Sequence, residues 1–281
     1  MKILSSAKVN LGLYVYGVRK DGFHNIESLF YPVDESNSNI KSDVITIEEG
    51  CFCGGGKVRL LQSGLTIDSR VEDNICTKAY NILDKDFNLP PVNIHLEKNV
   101  FIGAGLGGGS SDGVNTLFAL NEIFSIGLTD KQLESYASML GSDCPFFVYN
   151  FYRDKNNYLH SPMIVKGRGE ILEPLKEKGE CFSSFLKEFK FKIIFPELFI
   201  STQHAYSVVK ERDNNNQEDS ITTIIQKPIH EWQDCLINDF EEPIFKEYPQ
   251  LQKIKNELIE QGALYVSMSG SGSAIYGIFK S

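Results

Sequence analysis

Positive charge is in deficit: 28 lysines and arginines stand against 37 aspartates and glutamates, a formal net charge of −9. That balance argues against a broad nucleic-acid-binding surface, so any phosphate recognition has to be local. Long apolar runs are missing too, and the opening Met1-Lys-Ile-Leu-Ser-Ser-Ala-Lys8 has no signal-peptide core, so a soluble cytoplasmic protein with no membrane partner is expected. Cysteine occurs only at positions 51, 53, 76, 144, 181 and 235, without a C-x-x-C pair, which sets aside both a disulfide framework and a zinc site. Cys51-Phe-Cys53 reads as free loop thiols more readily than as a soft-metal site. With 281 residues, 42% of them hydrophobic and 23% charged, the chain suits one large globular domain or two, and two are favoured.

What the chain does have is glycine in one place. In Gly103-Ala-Gly-Leu-Gly-Gly-Gly-Ser-Ser-Asp112, glycines lead into hydroxyl and acidic residues. Glycine accepts positive φ and has no Cβ, so a bound anion can approach successive backbone N–H groups. Val92, Ile94 and Leu96 alternate as a strand before this stretch, and Val114, Leu117 and Phe118 begin a helical stripe after it, with Ser110 and Ser111 as candidate N-caps. A helix N-terminus behind a glycine loop makes a phosphate cradle. A dinucleotide fold would need a second strand next, but Thr129-Asp-Lys-Gln132 opens another helix, with Leu133, Tyr136, Ala137 and Leu140 on its apolar face and Gly141 as its stop. The ordinary P-loop needs lysine where Gly109 stands, and the H-R-D and D-F-G signatures of protein kinases are absent.

From Ala7 to Val15, apolar residues alternate with Lys8, Asn10, Gly12 and Tyr14, the period of a half-buried strand. Lys8 and Asn10 share a face, which is either solvated or aimed into a cleft. Arg19-Lys-Asp-Gly22 reads as a turn, bringing Phe23 and His24 to the start of a second strand over Ile26 to Val33. Short strands are expected at Val44 to Glu48 and Val58 to Leu61, and a helix from about Asp73. Asp143 precedes the apolar Cys-Pro-Phe-Phe-Val148, as a surface N-cap or as a carboxylate at an opening. Polar residues 150 to 162 mark a domain boundary, and 211 to 220 read as an Asn-rich spacer. Beyond the boundary a strand at Phe189 to Phe195, helices at Thr202 to Val209, 230 to 241 and 249 to 261, and strands at Leu264 to Met268 and Ala274 to Phe279 are expected.

Three separated motifs, Ala7-Lys-Val-Asn-Leu11, Gly105-Leu-Gly-Gly-Gly-Ser-Ser-Asp112 and Ser269-Gly-Ser-Gly272, together resemble the GHMP kinases, the superfamily of galactokinase, homoserine, mevalonate and phosphomevalonate kinases. Their order and spacing span nearly the whole chain. Asp21-Gly-Phe-His24, Gly141-Ser-Asp-Cys-Pro-Phe-Phe147 and Gly167-Arg-Gly-Glu170 resemble the branch whose acceptor is a cytidyl-diphospho sugar alcohol. The resemblance implies an α+β fold of two domains, an ATP-binding ribosomal-S5-like domain over 1–155 and a ferredoxin-like domain over 156–281, acting as monomer or weak homodimer. It also implies ATP and Mg²⁺, the metal ligands being left open.

Residue by residue, the resemblance places Lys8 and Asp143 on the catalytic lysine and aspartate. Gly103, Ala104, Gly105, Leu106, Gly107, Gly108, Gly109, Ser110 and Ser111 fall on the ATP-phosphate loop, and Asn74 on a segment beside the adenine. Asn10 and His24 fall on substrate contacts, Phe23 and Tyr206 on two aromatic positions around cytosine, and Thr202 beside them. Ser6 and Phe101 stand where the family often has proline, and Phe23 where it commonly has tyrosine. Another small-alcohol kinase of the superfamily, or a ligand sensor without catalysis, are the alternative readings.

Overall fold

The structure, a computed structural model, describes residues 1–51, 56–66, 70–150, 162–175, 188–213 and 220–281. Cys53 and Cys181, the expected boundary near 155, the Asn-rich stretch at 154–157 and all but the first residue of the Asn-rich stretch at 213–217 lie outside the described residues. In chain order the strands are β1 (Lys2–Ser5), β2 (Ala7–Val18), β3 (His24–Val33), β4 (Asp43–Glu49), β5 (Val58–Gly64) and β6 (Val92–Lys98). They continue with β7 (Met163–Gly167), β8 (Ile171–Pro174), β9 (Phe189–Ile194), β10 (Tyr265–Met268) and β11 (Ile275–Lys280). The helices are α1 (Ile75–Phe87), α2 (Gly108–Ile123), α3 (Asp130–Leu140), α4 (Cys144–Tyr149), α5 (Thr202–Val208), α6 (Ile221–Ile224), α7 (Glu241–Glu247) and α8 (Pro249–Glu260). Helices and strands thus mix as the α+β reading expects.

Contacts divide the chain into two units, the first made of Met1–Ala7, Lys41–Ile102 and Gly107–Leu159, the second of Lys8–Ile40, Gly103–Leu106 and His160–Ser281. The sequence expectation is a split into 1–155 and 156–281. Residues Lys8–Ile40 join the C-terminal part because β3 pairs with β7 and the free edge of β2 is completed by chain from beyond residue 200.

In the first unit the sheet order is β1-β4-β6-β5, antiparallel except for the parallel β5–β6 pair. Asn74 caps α1 by accepting from the Cys76 N–H (2.9 Å), and the helix buries Cys76, Ala79, Tyr80 and Leu83 at helical spacing. The central element is α2, which packs against α1, α3, α4, β1 and β4 and is buried continuously from Ser111 to Asn121. Each large apolar side chain so enclosed contributes about 1.5–3 kcal/mol. The expected serine cap is replaced: Gly107 is the N-cap, at φ 67° and ψ 14°, and Ser110 and Ser111 lie inside the first turn. Ser111 accepts instead from the hydroxyl of Ser5 (3.0 Å). The capping box of α3 forms as read, with Thr129 and Gln132 bonded reciprocally and Gly141 closing the helix.

The second unit holds the sheets β2-β3-β7-β8 and β10-β11-β9. The alternation in β2 predicts one wet face, yet every residue from Ala7 to Val15 is buried. Its open edge explains this, since Leu13 N–H donates to Ile237 O (3.0 Å), Asp239 N–H to Leu13 O (2.9 Å) and Arg212 N–H to Val15 O (2.8 Å). A later piece of chain closes the ladder that an edge strand leaves open. Leu13, Val15 and Ile26 then share a core with Phe240, Ile244, Val266 and Met268. The helix expected over 230–241 is a 3₁₀ turn at Ile229–Glu231 followed by turns, and α7 begins only at Glu241. Asn238 draws the chain out of helix by donating to the carbonyls of Met268 and Gly270, both at 2.8 Å. Strands β1, β7 and β8, each only 4 or 5 residues long, are not foreseen from the sequence pattern. Among the described residues no helix is long and apolar enough to cross a membrane.

The capping box yields a first expectation. Thr129→Ala removes one side-chain acceptor at the start of α3 and should lower stability by about 1 kcal/mol, read as a reduced urea midpoint with an unchanged slope.

Candidate active site

Lys8 sits on β2 with 3% of its surface exposed, so its ammonium must find its solvation inside the protein. It donates to Asn10 Oδ1 (2.5 Å) and to the carbonyl of Gly105 (3.0 Å), and lies 4.4 Å from the centroid of the Phe30 ring. The Asn10 amide nitrogen donates to Ser28 Oγ (2.9 Å), whose hydroxyl donates to Gly12 O (2.6 Å). Both ends of the Asn10 carboxamide are thereby engaged, and its geometry is that of a residue orienting Lys8. Lys8 and Asn10 are both enclosed by protein, so their shared face is not a solvated one.

The glycine loop divides between the units after Leu106. Within the second unit, Ala104 accepts from the Ala274 N–H (3.2 Å) and Leu106 from the Lys8 N–H (2.8 Å). Gly105, at φ 77°, passes so close to the Ser269-Gly-Ser-Gly272 turn that a Cβ would stand 2.0 Å from the Ser269 carbonyl oxygen. The Ser269 hydroxyl donates to Gly105 O (2.9 Å), which joins the second and third sequence motifs directly. Within the first unit, a Cβ on Gly108 would be 2.9 Å from Val100 Cγ1, whereas one on Gly109 would meet open space. Gly105 and Gly108 are demanded by packing beneath the loop, whereas a side chain at Gly109 would clash with nothing. The first-turn N–H groups of Gly108, Gly109 and Ser110 precede any intrahelical acceptor and form the donor end of α2.

Asp143 is half-buried at the N-cap position of α4, with φ −82° and no side-chain cap bond. It is therefore not spent as a helix cap. The next residue, Cys144, is buried, its thiol pushed up to about 12 by burial and by Asp143 against a hydrogen bond with Ser110. Lys8 and Asp143 fall in different units.

Sequence reasoning missed a buried triad under α2. The Lys98 ammonium bonds both Asp43 Oδ2 and Asp112 Oδ2, the latter at 2.8 Å. Asp43 also accepts from the N–H groups of Asn99 (2.5 Å) and Val100 (2.8 Å), pinning the chain as it leaves β6. Asp112 Oδ1 makes no hydrogen bond of normal geometry among the described residues. Burial accordingly pushes the Asp112 carboxyl up to about 7 against the pull of Lys98. Burial also opposes the charge on Lys98, but Asp112 and Asp43 together raise its pKa. One signal was available: Lys98 continues the inward phase of Val92, Ile94 and Leu96, which puts a charge in a buried register.

The remaining candidates lie in the second unit, apart from Asn74, whose side-chain oxygen caps α1. Phe23 is 51% exposed, with the Arg168 guanidinium 5.3 Å from its ring centroid. Arg168 belongs to the Gly167-Arg-Gly-Glu170 turn, where Glu170 accepts from Arg168 N–H (2.6 Å) and from Arg19 (3.2 Å). His24 stacks on Tyr206, centroids 4.9 Å apart at 23°, and its Nε2 is 3.2 Å from Glu211 Oε1. Thr202 shares a hydroxyl contact with Ser271 (3.2 Å). The structure thus pairs Tyr206 with His24 and Phe23 with Arg168. Arg168 lies in the Gly167-Arg-Gly-Glu170 motif, whereas Glu211 carries no strand or helix periodicity and nothing in its spacing announced it.

Two family models match the chain: the GHMP kinases N terminal domain over residues 74–151 and GHMP kinases C terminal over residues 224–281. A curated relative named 4-diphosphocytidyl-2-C-methyl-D-erythritol kinase, from Azobacteroides pseudotrichonymphae, is 41% identical over 98% of this chain and 92% of its own. One of the same name from Bacteroides thetaiotaomicron is 42% identical over 98% of this chain and 90% of its own. Among solved structures, a crystal structure of 4-(cytidine 5'-diphospho)-2C-methyl-D-erythritol kinase aligns with TM-score 0.72 and 29% identity, covering 99% of this chain and 89% of that one. The Methanococcus jannaschii mevalonate kinase aligns with TM-score 0.67 at 18% identity, over 100% of this chain and 90% of that one, a likeness of fold.

The buried carboxyl makes stability depend on pH with a definite sign. The folded chain holds the Asp112 proton up to about pH 7, while the unfolded chain releases it near pH 4. This group's contribution is therefore full below about pH 4, declines as pH rises toward 7, and is level above. Asp112→Asn keeps the shape without the titration, so the change in urea midpoint between about pH 5 and about pH 7 should be smaller in the variant than in the wild type.

Proposed function

Because this chain belongs to the GHMP kinase family, and within it to the 4-diphosphocytidyl-2-C-methyl-D-erythritol kinases, we propose that it carries out that phosphorylation at the substrate's 2-hydroxyl in the non-mevalonate route to isoprenoid precursors. It is an ATP-dependent phosphotransferase with an alcohol acceptor. The observation that carries the mechanistic reading is the bond from the Lys8 ammonium to the Gly105 carbonyl, which couples a buried cation to the glycine loop.

Phosphoryl transfer needs positioning and charge neutralisation more than covalent help. In this reading the first-turn N–H groups of α2 receive the ATP phosphates, and the open face of Gly109 leaves them room. Mg²⁺, when bound, would offset the negative charge of the ATP phosphates. Ser110 is the hydroxyl available to it in the first turn, since Ser111 is fully buried. Asp143 accepts the proton of the attacking hydroxyl. Lys8, oriented by Asn10, supplies a cation that offsets the charge developing on the moving phosphoryl group.

Phe23, His24, Thr202 and Tyr206 receive the cytidine end, the aromatic faces by stacking and the imidazole by hydrogen bonding. A monomer or weak homodimer acting in the cytoplasm completes the proposal.

Asp143→Asn and Lys8→Ala should each lower kcat by roughly 10²–10⁴ with folding retained; near-normal turnover in Asp143→Asn would remove the base assignment. In a coupled ATPase panel, the cytidyl-diphospho substrate should be consumed and homoserine and mevalonate left untouched. Equal turnover of all three, or of none, overturns the substrate reading.

A further inference from the structure

We infer that Ser28 is a positioning residue of this enzyme, holding the Asn10 carboxamide so that its oxygen stays on the Lys8 ammonium during phosphoryl transfer. The inference rests on the proposed role of Lys8.

Ser28 lies on β3, beside the strand β2 that carries Lys8, Asn10 and Gly12, and it is fully buried. At Gly12 the strand turns to φ 71°, a conformation that suits glycine, and a Cβ there would stand 2.6 Å from Leu236 Cδ1. The Gly12 carbonyl accepts from the Ser28 hydroxyl at 2.6 Å. A hydroxyl has one hydrogen and a carbonyl can only accept, so this contact uses the hydrogen and leaves the Ser28 oxygen as an acceptor. Asn10 Nδ2 donates to that oxygen at 2.9 Å. With the nitrogen of the carboxamide so engaged, Oδ1 is turned the other way, where the Lys8 ammonium donates to it at 2.5 Å. Lys8, Asn10, Ser28 and Gly12 thus form a directed chain in which each donor meets an acceptor.

An ammonium has no lone pair, so a reversed carboxamide would set its N–H groups against the Lys8 charge. Without the Ser28 oxygen the nitrogen end of the carboxamide loses its acceptor, and the oxygen is free to leave Lys8 as the cation follows the charge developing on the phosphoryl group. An alignment that counts in the transition state is lost, which lowers kcat and leaves KM for both substrates nearly as it was.

The test is a mutant cycle in the full chain: wild type and Ser28→Ala, each with Asn10 and with Asn10→Asp. The two oxygens of a carboxylate are alike, so Asn10→Asp leaves no orientation for Ser28 to hold, while the Gly12 carbonyl loses its donor equally in both backgrounds. Ser28→Ala should lower kcat roughly tenfold in the Asn10 background, with KM for ATP and for the cytidyl-diphospho substrate within about twofold of the wild type. In the Asn10→Asp background the same substitution should change kcat by less than about twofold. Ser28→Thr, which keeps the hydroxyl, should recover turnover. Where the urea midpoint shows Ser28→Ala to be unfolded, Ser28→Thr against the isosteric Ser28→Val makes the same comparison. Undiminished kcat in Ser28→Ala, no recovery in a folded Ser28→Thr, or an equal loss in both backgrounds overturns the inference. If the wild type phosphorylates no acceptor in the panel, the functional reading fails by itself. The side-chain amide signals of Asn10, assigned by their absence in Asn10→Asp, then still report on Ser28: the proton bonded to it should move upfield in Ser28→Ala, and an unmoved proton counts against the inference.

Discussion

A charged lysine cannot be enclosed unless the protein replaces the water it gives up, and at Lys8 that replacement organises the second unit. The carbonyl of Gly105, the amide oxygen of Asn10 and the face of Phe30 together supply it. The two oxygens are held in their turn, Asn10 by Ser28 and Gly105 by the Ser269 hydroxyl. The motif at the start of the chain, the middle glycines and the serine–glycine turn near the end are therefore three sides of one hydrogen-bonded solution to a solvation problem. Their common appearance in the sequence has a physical cause.

The same loop shows that glycine can be required for two unrelated reasons. Gly105 and Gly108 are glycine because chain or side chains already occupy the space a Cβ would take. Gly109 faces open space, which in the proposed reading leaves the ATP phosphates room at the α2 amides. Under that helix, the Lys98, Asp43 and Asp112 side chains exchange charge out of reach of water. Asp43 links them to the backbone of Asn99 and Val100, so the strand enters the loop at a fixed height.

Much of this was legible in the residues. Alternation located β2, β3, β4 and β6, helical spacing located α1 and α3, and the Thr129–Gln132 box formed as written. These signals are local, which is why they survive without a structure. The half-buried reading of β2 failed because its covering edge comes from Arg212 and Ile237–Asp239, a long-range fact. The long helix expected near 230–241 failed because Asn238 finds better partners in Met268 and Gly270 than in its own turn. At the site, Lys8 and the loop were readable as types in a pattern, but Glu211 was hidden at the edge of what looked like a spacer. Pairings between distant side chains leave no periodic trace.

Closure of the β2 edge from so far along the chain bears on how the protein is made. The second unit joins Lys8–Ile40 to residues beyond His160, and its core sets Leu13 and Val15 against Val266 and Met268. On the ribosome, the first strands emerge long before those partners exist. Their apolar faces must then stay shielded or transiently misplaced until the last residues are released, a delay that favours chaperone capture and makes the carboxyl-terminal strands the step that commits this unit to its native form.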